Sequence, residues 1–566
     1  MPFVYLDDQG SGKQMVFQDP SAIILAETRD ELPTAFAEIK AAQASGKWLA
    51  GSLAYELGHA LEYKFAPPES APLIQLGVFE APKDHAPIEW LYTRDVPTLS
   101  FRPDWSEADY LSRFERVQKY LRAGDCYQVN LTFPMRAESD ISPTQLYAAF
   151  RRRQPGRYGA IVKLGSSASV SFSPELFFEK RGREMRMRPM KGTRPRGQDD
   201  AAILAEMRAE PKSQAENLMI VDLLRNDLSR LCEAGSVKVP ELFALETYPT
   251  LHQMTSQVTG QLRHDVGWNE IFEGLFPCGS VTGAPKIRAM EIIEELESSS
   301  RGNYCGSVGY IAPNGDASFS VAIRTVQMSN GELRYDVGSG VVLDSDGQDE
   351  YRECLLKAQI FKPQDEGAIE TFRRLPSGKI PRRERHIARL SDIVGHDVTR
   401  EFQKVETLQP KSDLRVKLQA ESGRIDITAT PYESLETPLP LALSRYPLTS
   451  DVQNTRFKTS FRDFYDGERA RISAITEAAE VIFLNAAGLV CEGSFTSLFI
   501  EKDGRLLTPE LSSGLLPGVL RAELVETGKA HETSLTIDDL KSADAVYVGN
   551  SLRGLILATF IDYLEH

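Results

Sequence analysis

Apolar residues along the chain switch between a two-residue and a helical period. Ser21-Ala-Ile-Ile-Leu25 reads as a strand, and apolar positions from Asp30 to about Gln43 recur at helical spacing, so the first hundred residues are mixed α/β. A longer amphipathic stretch, Ser106 to Arg122, stops at Gly124. It leads into Cys126-Tyr-Gln-Val-Asn-Leu-Thr132, which alternates as a strand does. Lys180 to Lys191, with Arg181, Arg183, Arg186 and Arg188, reads as an exposed basic strand and turn. A helix closes near Lys357 to Phe361, and Lys362-Pro-Gln-Asp-Glu-Gly367 is polar with Pro and Gly. Alternation resumes at Ala368-Ile-Glu-Thr-Phe-Arg. The expected organisation is a domain over 1–362, a linker over 363–367 and a second domain over 368–566.

Composition narrows the class. A chain of 566 residues exceeds one ordinary core, and 42% hydrophobic with 26% charged residues is globular. A net charge of -15 argues against nucleic acid as a partner, because phosphate binding is driven by Lys and Arg. The six cysteines lie far apart without a C-x-x-C pair, which reads as core thiols in a reducing compartment. The N-terminal residues carry no basic region followed by an apolar core, and no apolar run approaches about 20 residues. The expectation is a cytoplasmic protein with no signal peptide and no membrane span.

Four clusters before residue 362 could carry chemistry. Ser173-Pro-Glu175 is followed by Arg188-Pro-Met-Lys-Gly-Thr-Arg-Pro-Arg-Gly197, where Lys191 could act as a nucleophile if burial or the cations Arg194 and Arg196 lowered its pKa; a plain basic turn explains the same residues. Glu216 opens a helical run to Leu228 in which Asp222, Arg225 and Asp227 could simply form a polar face. Glu350 and Glu353 share one face of a helix start after Gly338-Ser-Gly340, a pair able to hold Mg²⁺ or merely an acidic helix start. Pro277-Cys-Gly-Ser-Val-Thr-Gly-Ala-Pro-Lys286 is a small-residue turn opening a helix, where amides could face an anion.

Taken together, Gly124-Asp-Cys-Tyr-Gln-Val-Asn-Leu, Pro189-Met-Lys-Gly-Thr, Met219-Ile-Val-Asp-Leu-Leu-Arg-Asn-Asp-Leu, Gly279-Ser-Val-Thr-Gly-Ala-Pro-Lys and Gly338-Ser-Gly-Val-Val-Leu-Asp-Ser resemble the chorismate-utilising enzymes over residues 1 to 362. Lys191 before Gly-Thr is similar to the aminodeoxychorismate synthases, where anthranilate synthases carry Ala. The resemblance implies an α+β fold, an anthranilate-synthase-like two-sheet sandwich with outer helices. It implies that Lys191 attacks C2 of chorismate, Glu175 protonates the departing 4-hydroxyl, and ammonia adds at C4. Gly192, Thr193, Tyr304, Arg324, Gly338 and Gly340 match chorismate-binding positions. Glu216 and Glu353 match the Mg²⁺ ligands. His252 lies within one residue of a substrate-contacting histidine, and Asn217 stands where relatives often have His. The chain shows no nucleophilic Cys in a glutaminase setting, so ammonia is expected from a separate glutamine amidotransferase subunit.

Residues 368–566 offer Arg382-Arg-Glu-Arg-His-Ile-Ala-Arg-Leu390, a basic helix whose plain reading is a solvated face, and Lys458 in an aromatic setting. Glu492 follows the strand Glu480-Val-Ile-Phe-Leu-Asn485, and Gly514-Leu-Leu-Pro-Gly-Val-Leu-Arg521 is a turn into a helix N-terminus. Their order resembles the class IV aminotransferase-like enzymes, which include aminodeoxychorismate lyase and use pyridoxal phosphate. The resemblance implies a fold-type IV α/β domain. Lys458 matches the lysine that binds the cofactor covalently, Glu492 the carboxylate paired with the pyridinium nitrogen, and Arg389 the phosphate-binding arginine. The Gly518-Val519-Leu520 turn, with Asn550-Ser551, matches further phosphate contacts. Ser497 replaces an Asn usual in the family near Glu492, and Phe461 occupies a position after Lys458 that is often Asn. Enzymes of this class often dimerise through this domain, and a homodimer is an assembly the resemblance allows.

The leading expectation is therefore a bifunctional synthase–lyase that makes p-aminobenzoate. The alternatives are anthranilate or isochorismate formation joined to a branched-chain or D-amino-acid aminotransferase, and a non-catalytic subunit that only binds chorismate or pyridoxal phosphate. Lys191 speaks against anthranilate. Retention of both lysines speaks against a binding relic.

Overall fold

The computed structural model describes all residues except 10, 67–71, 88–89, 92–96, 152, 154–156, 196–199, 248–250, 362–366, 409, 411, 422–423, 449–457, 460–461 and 562–566, and the side chains of 193, 195, 212, 251 and 463. The linker expected over 363–367 falls outside the described residues apart from Gly367. The chain divides into two compact units, the first ending at Lys362 and the second beginning at Pro363.

The first unit is built on two antiparallel sheets. One runs Gly283–Ala284, Gln128–Glu138, Glu332–Val341, Thr325–Ser329, Ala168–Ser173, Tyr158–Lys163, Phe3–Asp8, Lys13–Gln18. The other runs Met190–Pro195, Leu251–Gln261, Glu184–Arg188, Leu176–Arg181, Ala317–Val321, Ser307–Ile311, Trp48–Leu53, Ile74–Phe79, Ala22–Ala26. Alternate residues of each sheet meet in a shared core, with Val4, Phe17 and Ala160 from the first against Ala50, Phe79 and Val308 from the second. Helices Leu32–Ala44, Pro211–Ser229 and Trp268–Leu275 cover the second sheet through Ile39, Ile220 and Phe272. This is the two-sheet sandwich with outer helices that the motifs imply.

Local signals explain the element ends. Ser106 accepts the Asp109 amide and caps Glu107–Ala123, which Gly124 ends in the left-handed conformation at φ +77. Asp346 caps Gly347–Leu356 through the amides of Gln348 and Asp349, so Glu350 and Glu353 do share a helix. The basic stretch after Lys180 is a hairpin, but it is not simply exposed. Met185 and Met187 are buried, and Glu179 pairs with both Arg181 and Arg186.

The second unit has two layers of its own. The three-stranded sheet Ala368–Arg374, Leu414–Glu421, Arg424–Pro431 packs on helices Arg383–Val394 and Thr399–Glu406 through Phe372, Leu390, Phe402 and Val416. An eight-stranded mixed sheet, with Leu439–Leu443 parallel to both neighbours at its centre, surrounds Leu441, Ile482, Leu498 and Val548. All six cysteines are free and buried. No helix of the described residues is long and apolar enough to cross a membrane.

Candidate active sites

In the first unit Lys191 lies on the strand Met190–Pro195, opposite Met254. Gly192, at φ +70, carries a bulge between Lys191 and Thr193, and its carbonyl accepts Gln253 Nε2 at 3.1 Å. The other sheet comes close at Gly340. A Cβ built there would stand 3.4 Å from Lys191 Nζ and 3.2 Å from the Gln128 amide, so a side chain would crowd both groups.

Glu175 follows the strand Ala168–Ser173, and its backbone carbonyl accepts the Val321 amide at 3.0 Å. Its carboxyl is buried, which pushes its pKa up to about 7, while the Ser280 hydroxyl, Lys191 and Arg324 pull it back. Thus the turn after Pro277, read as an anion cradle, brings a hydroxyl to the carboxyl. Arg324 is held in the left-handed region at φ +53, with its buried Nη1 lacking a hydrogen-bond partner. Glu175 Oε1 and both amide atoms of Gln128 are likewise buried and unpartnered. Buried polar atoms normally find partners, so this concentration around Lys191 marks a place for a polar ligand. Sequence reading missed Gln128, although it lies within a quoted motif. Gln128 alternates with Val129 and Leu131 as a solvated strand residue would, so the sequence carries no signal of its full burial.

Other expected positions differ in setting. Tyr304 is buried, and burial pushes its hydroxyl pKa far upward. Gly338 lies where a Cβ would meet Thr132 Cγ2 at 2.4 Å, and its carbonyl accepts Lys357 Nζ at 2.6 Å. His252 is fully buried, with Nδ1 against Thr247 Oγ1 at 2.9 Å and Nε2 against Asp200 Oδ1 at 3.0 Å. Asn217 accepts from Ser256 Oγ. Glu353 pairs with Lys357 at 2.9 Å and stays largely exposed, while Glu216 is half-buried on Pro211–Ser229. No group of three or more His, Cys, Asp or Glu side chains able to hold a metal forms among the described residues.

Several plain readings need correction. Arg194 is paired with Glu210 at 2.7 Å and half-exposed, so it is not a bare cation beside Lys191; Arg196 lies outside the described residues. Asp227 is not on a solvated face. It is buried against Lys286 at 2.7 Å, an ion pair that ties two of the long motifs together structurally.

The second unit holds a cavity of about 560 Å³ lined by Lys458, Glu492, Arg389, Val519, Leu520 and Ser551, among others. The Lys458 amine lies 3.2 Å from Thr371 Oγ1, and its backbone carbonyl accepts the Ile369 amide at 2.7 Å. Burial, then Arg462 and, more weakly, Arg389 and Arg415, lower its pKa to about 7. Glu492 accepts the Tyr465 hydroxyl at 2.8 Å and the Leu516 amide at 3.0 Å, and burial raises its pKa to about 7.

Arg389 belongs to a buried chain rather than to a solvated helix face. It meets Glu370 with both Nε and Nη2, at 2.5 and 2.9 Å, and Glu370 Oε2 also meets His386 Nδ1 at 2.6 Å. His386 Nε2 reaches Ser551 Oγ at 2.7 Å. Burial opposes ionisation of Glu370, but Arg389 and His386 hold its pKa down at about 2. Sequence reading missed both Glu370 and His386, which orient the two expected anion contacts. Ser497 has a packing role, since a Cβ on Gly518 would stand 2.6 Å from its hydroxyl. Phe461 lies outside the described residues.

The chain belongs to the family of chorismate binding enzymes, whose model matches residues 1–363. Residues 367–559 match the amino-transferase class IV model, which implies pyridoxal phosphate as cofactor. Among similar proteins, an aminodeoxychorismate synthase component 1 of Klebsiella aerogenes is 39% identical over 50% of this chain and 65% of its own length. An anthranilate synthase component 1 of Pseudomonas aeruginosa is 40% identical over 46% of this chain and 53% of its own. The chain spans less than two thirds of each of these relatives, and identity alone does not separate them. Anthranilate synthase component I of Streptococcus pneumoniae shares the fold, with a TM-score of 0.52 at 24% identity over 64% of this chain and 91% of that one.

Proposed function

We propose that the first unit aminates chorismate at C4 to 4-amino-4-deoxychorismate, and that the second removes pyruvate from that product to give p-aminobenzoate. The observation that carries this reading is Lys191 itself, beside the buried Glu175 and the unpartnered polar atoms of Gln128 and Arg324. Glu175, protonated below about pH 7, gives its proton to the departing 4-hydroxyl as neutral Lys191 Nζ bonds to C2 and both ring double bonds shift, the new C2–N then losing a proton. Ammonia then bonds to C4, both double bonds return, and the C2–N bond breaks to release the lysine, whose nitrogen regains the proton that the added ammonia loses. Arg324 receives a substrate carboxylate. Glu216 and Glu353 would offer oxygen donors of the kind Mg²⁺ favours once Glu353 left Lys357, and the ion would neutralise the ring carboxylate. Ammonia comes from a separate glutamine amidotransferase subunit.

In the second unit the residues suit pyridoxal phosphate. A buried amine and a buried carboxyl of raised pKa line one cavity with a network-held arginine. When bound, the cofactor supplies an electron sink for charge left at carbon. Arg389, Ser551 and the Val519–Leu520 turn would hold its phosphate, and Glu492 would keep its ring nitrogen protonated. Lys458 takes the C4 proton, the C3–O bond breaks, and the enolpyruvate leaves and gains a proton as pyruvate. The two units act as separate catalytic domains.

Incubation of the purified chain with chorismate, ammonia, Mg²⁺ and pyridoxal phosphate is expected to yield p-aminobenzoate and pyruvate in equal amounts. Accumulation of 4-amino-4-deoxychorismate alone would remove the lyase half, and anthranilate would remove the assignment of Lys191.

The protonated form of Glu175 is the active one, so the pH profile of chorismate consumption should break near 7, its slope falling there whatever the ionisation of Lys191 adds. With free ammonia held constant, the slope of log kcat/KM against pH should fall by about one across that break. An unchanged slope between pH 6 and 8 would rule Glu175 out as the proton donor.

A further inference from the structure

The cavity of the second unit carries further cations beside its cofactor-facing residues. Arg415 and Lys417 stand two residues apart on one face of Leu414–Glu421, and both line the cavity. Arg553 lines it from beyond Ala545–Asn550, with its Nε buried and unpartnered and its guanidinium 5.8 Å from the centre of the Phe495 ring. Arg462 and Arg469 also line it but are engaged. Arg469 pairs with Asp466 at 2.9 Å and donates to Ser494 Oγ at 2.9 Å, and Arg462 donates to the Ser494 carbonyl.

Among the described residues, Arg415, Lys417 and Arg553 make no ion pair. The groups facing them are Asp466, which acts on Lys417 only at a distance, and Tyr432 and Glu480, which act on Arg553. Burial and the neighbouring Arg415 lower the Lys417 pKa; Lys417 and Arg553 are half-buried, while Arg415 is exposed. Like charges gathered on one wall attract an anion that bridges them, most strongly where they are half-buried. Two guanidinium forks and an ammonium offer more donors than one carboxylate can accept.

We propose that Arg415, Lys417 and Arg553 form a carboxylate-binding wall that selects amine substrates bearing two carboxylates over those bearing one. This rests on the lyase reading of the unit, which directs the substrate amine toward Lys458 and leaves the acid groups to the neighbouring wall, where Lys417 is the cross-strand partner of Thr371. An ordinary monocarboxylic amino acid would satisfy only part of it, so the wall also separates a diacid-specific lyase from a general aminotransferase.

The test uses the full chain loaded with pyridoxal phosphate. It is titrated with the stable diacid 4-amino-3-(carboxymethoxy)benzoate and with the monoacid 4-aminobenzoate, with binding measured calorimetrically and cofactor content read from absorbance. The diacid should bind about tenfold or more tightly than the monoacid. The double variant Arg415→Gln/Lys417→Gln should lose that preference, its diacid affinity falling about tenfold more than its monoacid affinity, and Lys417→Arg should keep it. Equal affinity of the wild-type chain for the two ligands, or equal losses for both in the double variant, would overturn the proposal. Should the double variant fail to retain cofactor, salt dependence of the wild-type chain decides. Diacid affinity must then fall more steeply with salt than monoacid affinity, and parallel slopes would overturn the wall. Pyruvate release from 4-amino-4-deoxychorismate made in situ separates the two readings. Diacid preference without pyruvate sinks the lyase reading alone, and pyruvate without diacid preference sinks the wall alone.

Discussion

A Lys458→Ala chain is expected to consume chorismate at the wild-type rate and to release no pyruvate, accumulating 4-amino-4-deoxychorismate instead. The amine is buried, lowered to about 7 and set 3.2 Å from Thr371 Oγ1, so it can exist in the neutral form that both cofactor capture and proton removal need. Its removal takes away the covalent attachment and the base together, and the loss should be on the order of a thousandfold or more. Arg389, Glu370, His386 and Ser551 remain, so the variant should still bind pyridoxal phosphate without a covalent link. That residual binding checks folding. Lys458 and Lys191 belong to units with separate cores, which is the reason for expecting the first step to be spared. Following chorismate and pyruvate in the same reaction decides the matter. Parallel loss of both would contradict independent sites, and persistent pyruvate release would remove Lys458 as the base.

What could be read in advance was whatever depends on neighbours in the chain. Ser106 and Gly124 announce a helix because caps act within one turn, and the Glu350/Glu353 pair follows from helical spacing. The order of motifs around Lys191, Glu175, Lys458 and Glu492 carried the family resemblance and both cofactor-facing residues. Contacts made across the fold were not visible. Nothing near Asp227 in sequence reveals that Lys286, on a different helix, buries it. Glu370 looks like one more polar residue on a strand, and His386 like one more member of a basic helix, until the fold joins them to Arg389 and Ser551. Gln128 shows the same gap. Its two unsatisfied amide atoms gain meaning only when Gly340 of a neighbouring strand and Lys191 of the opposite sheet stand beside it.

Lys191→Ala should stop formation of 4-amino-4-deoxychorismate, again by on the order of a thousandfold or more, because it removes the amine that stands at Gly340. Two roles must be separated. Lys191 is the proposed nucleophile, and its positive charge also opposes the burial that raises the Glu175 pKa. Loss of that charge should therefore move the Glu175 titration above 7, extending the protonated range to higher pH. Lys191→Arg keeps the charge but offers no amine able to bond to C2, since guanidinium stays protonated. The arginine variant should thus hold the Glu175 limb near its wild-type position, read by carboxyl-labelled NMR, and be as inactive as the alanine variant. Recovery of more than about a tenth of wild-type turnover by Lys191→Arg would show that charge, rather than a carbon–nitrogen bond, is what the residue contributes. A titration unmoved in Lys191→Ala would instead mean that lysine and carboxyl do not sense each other, and the proton donor would have to be sought elsewhere in the site.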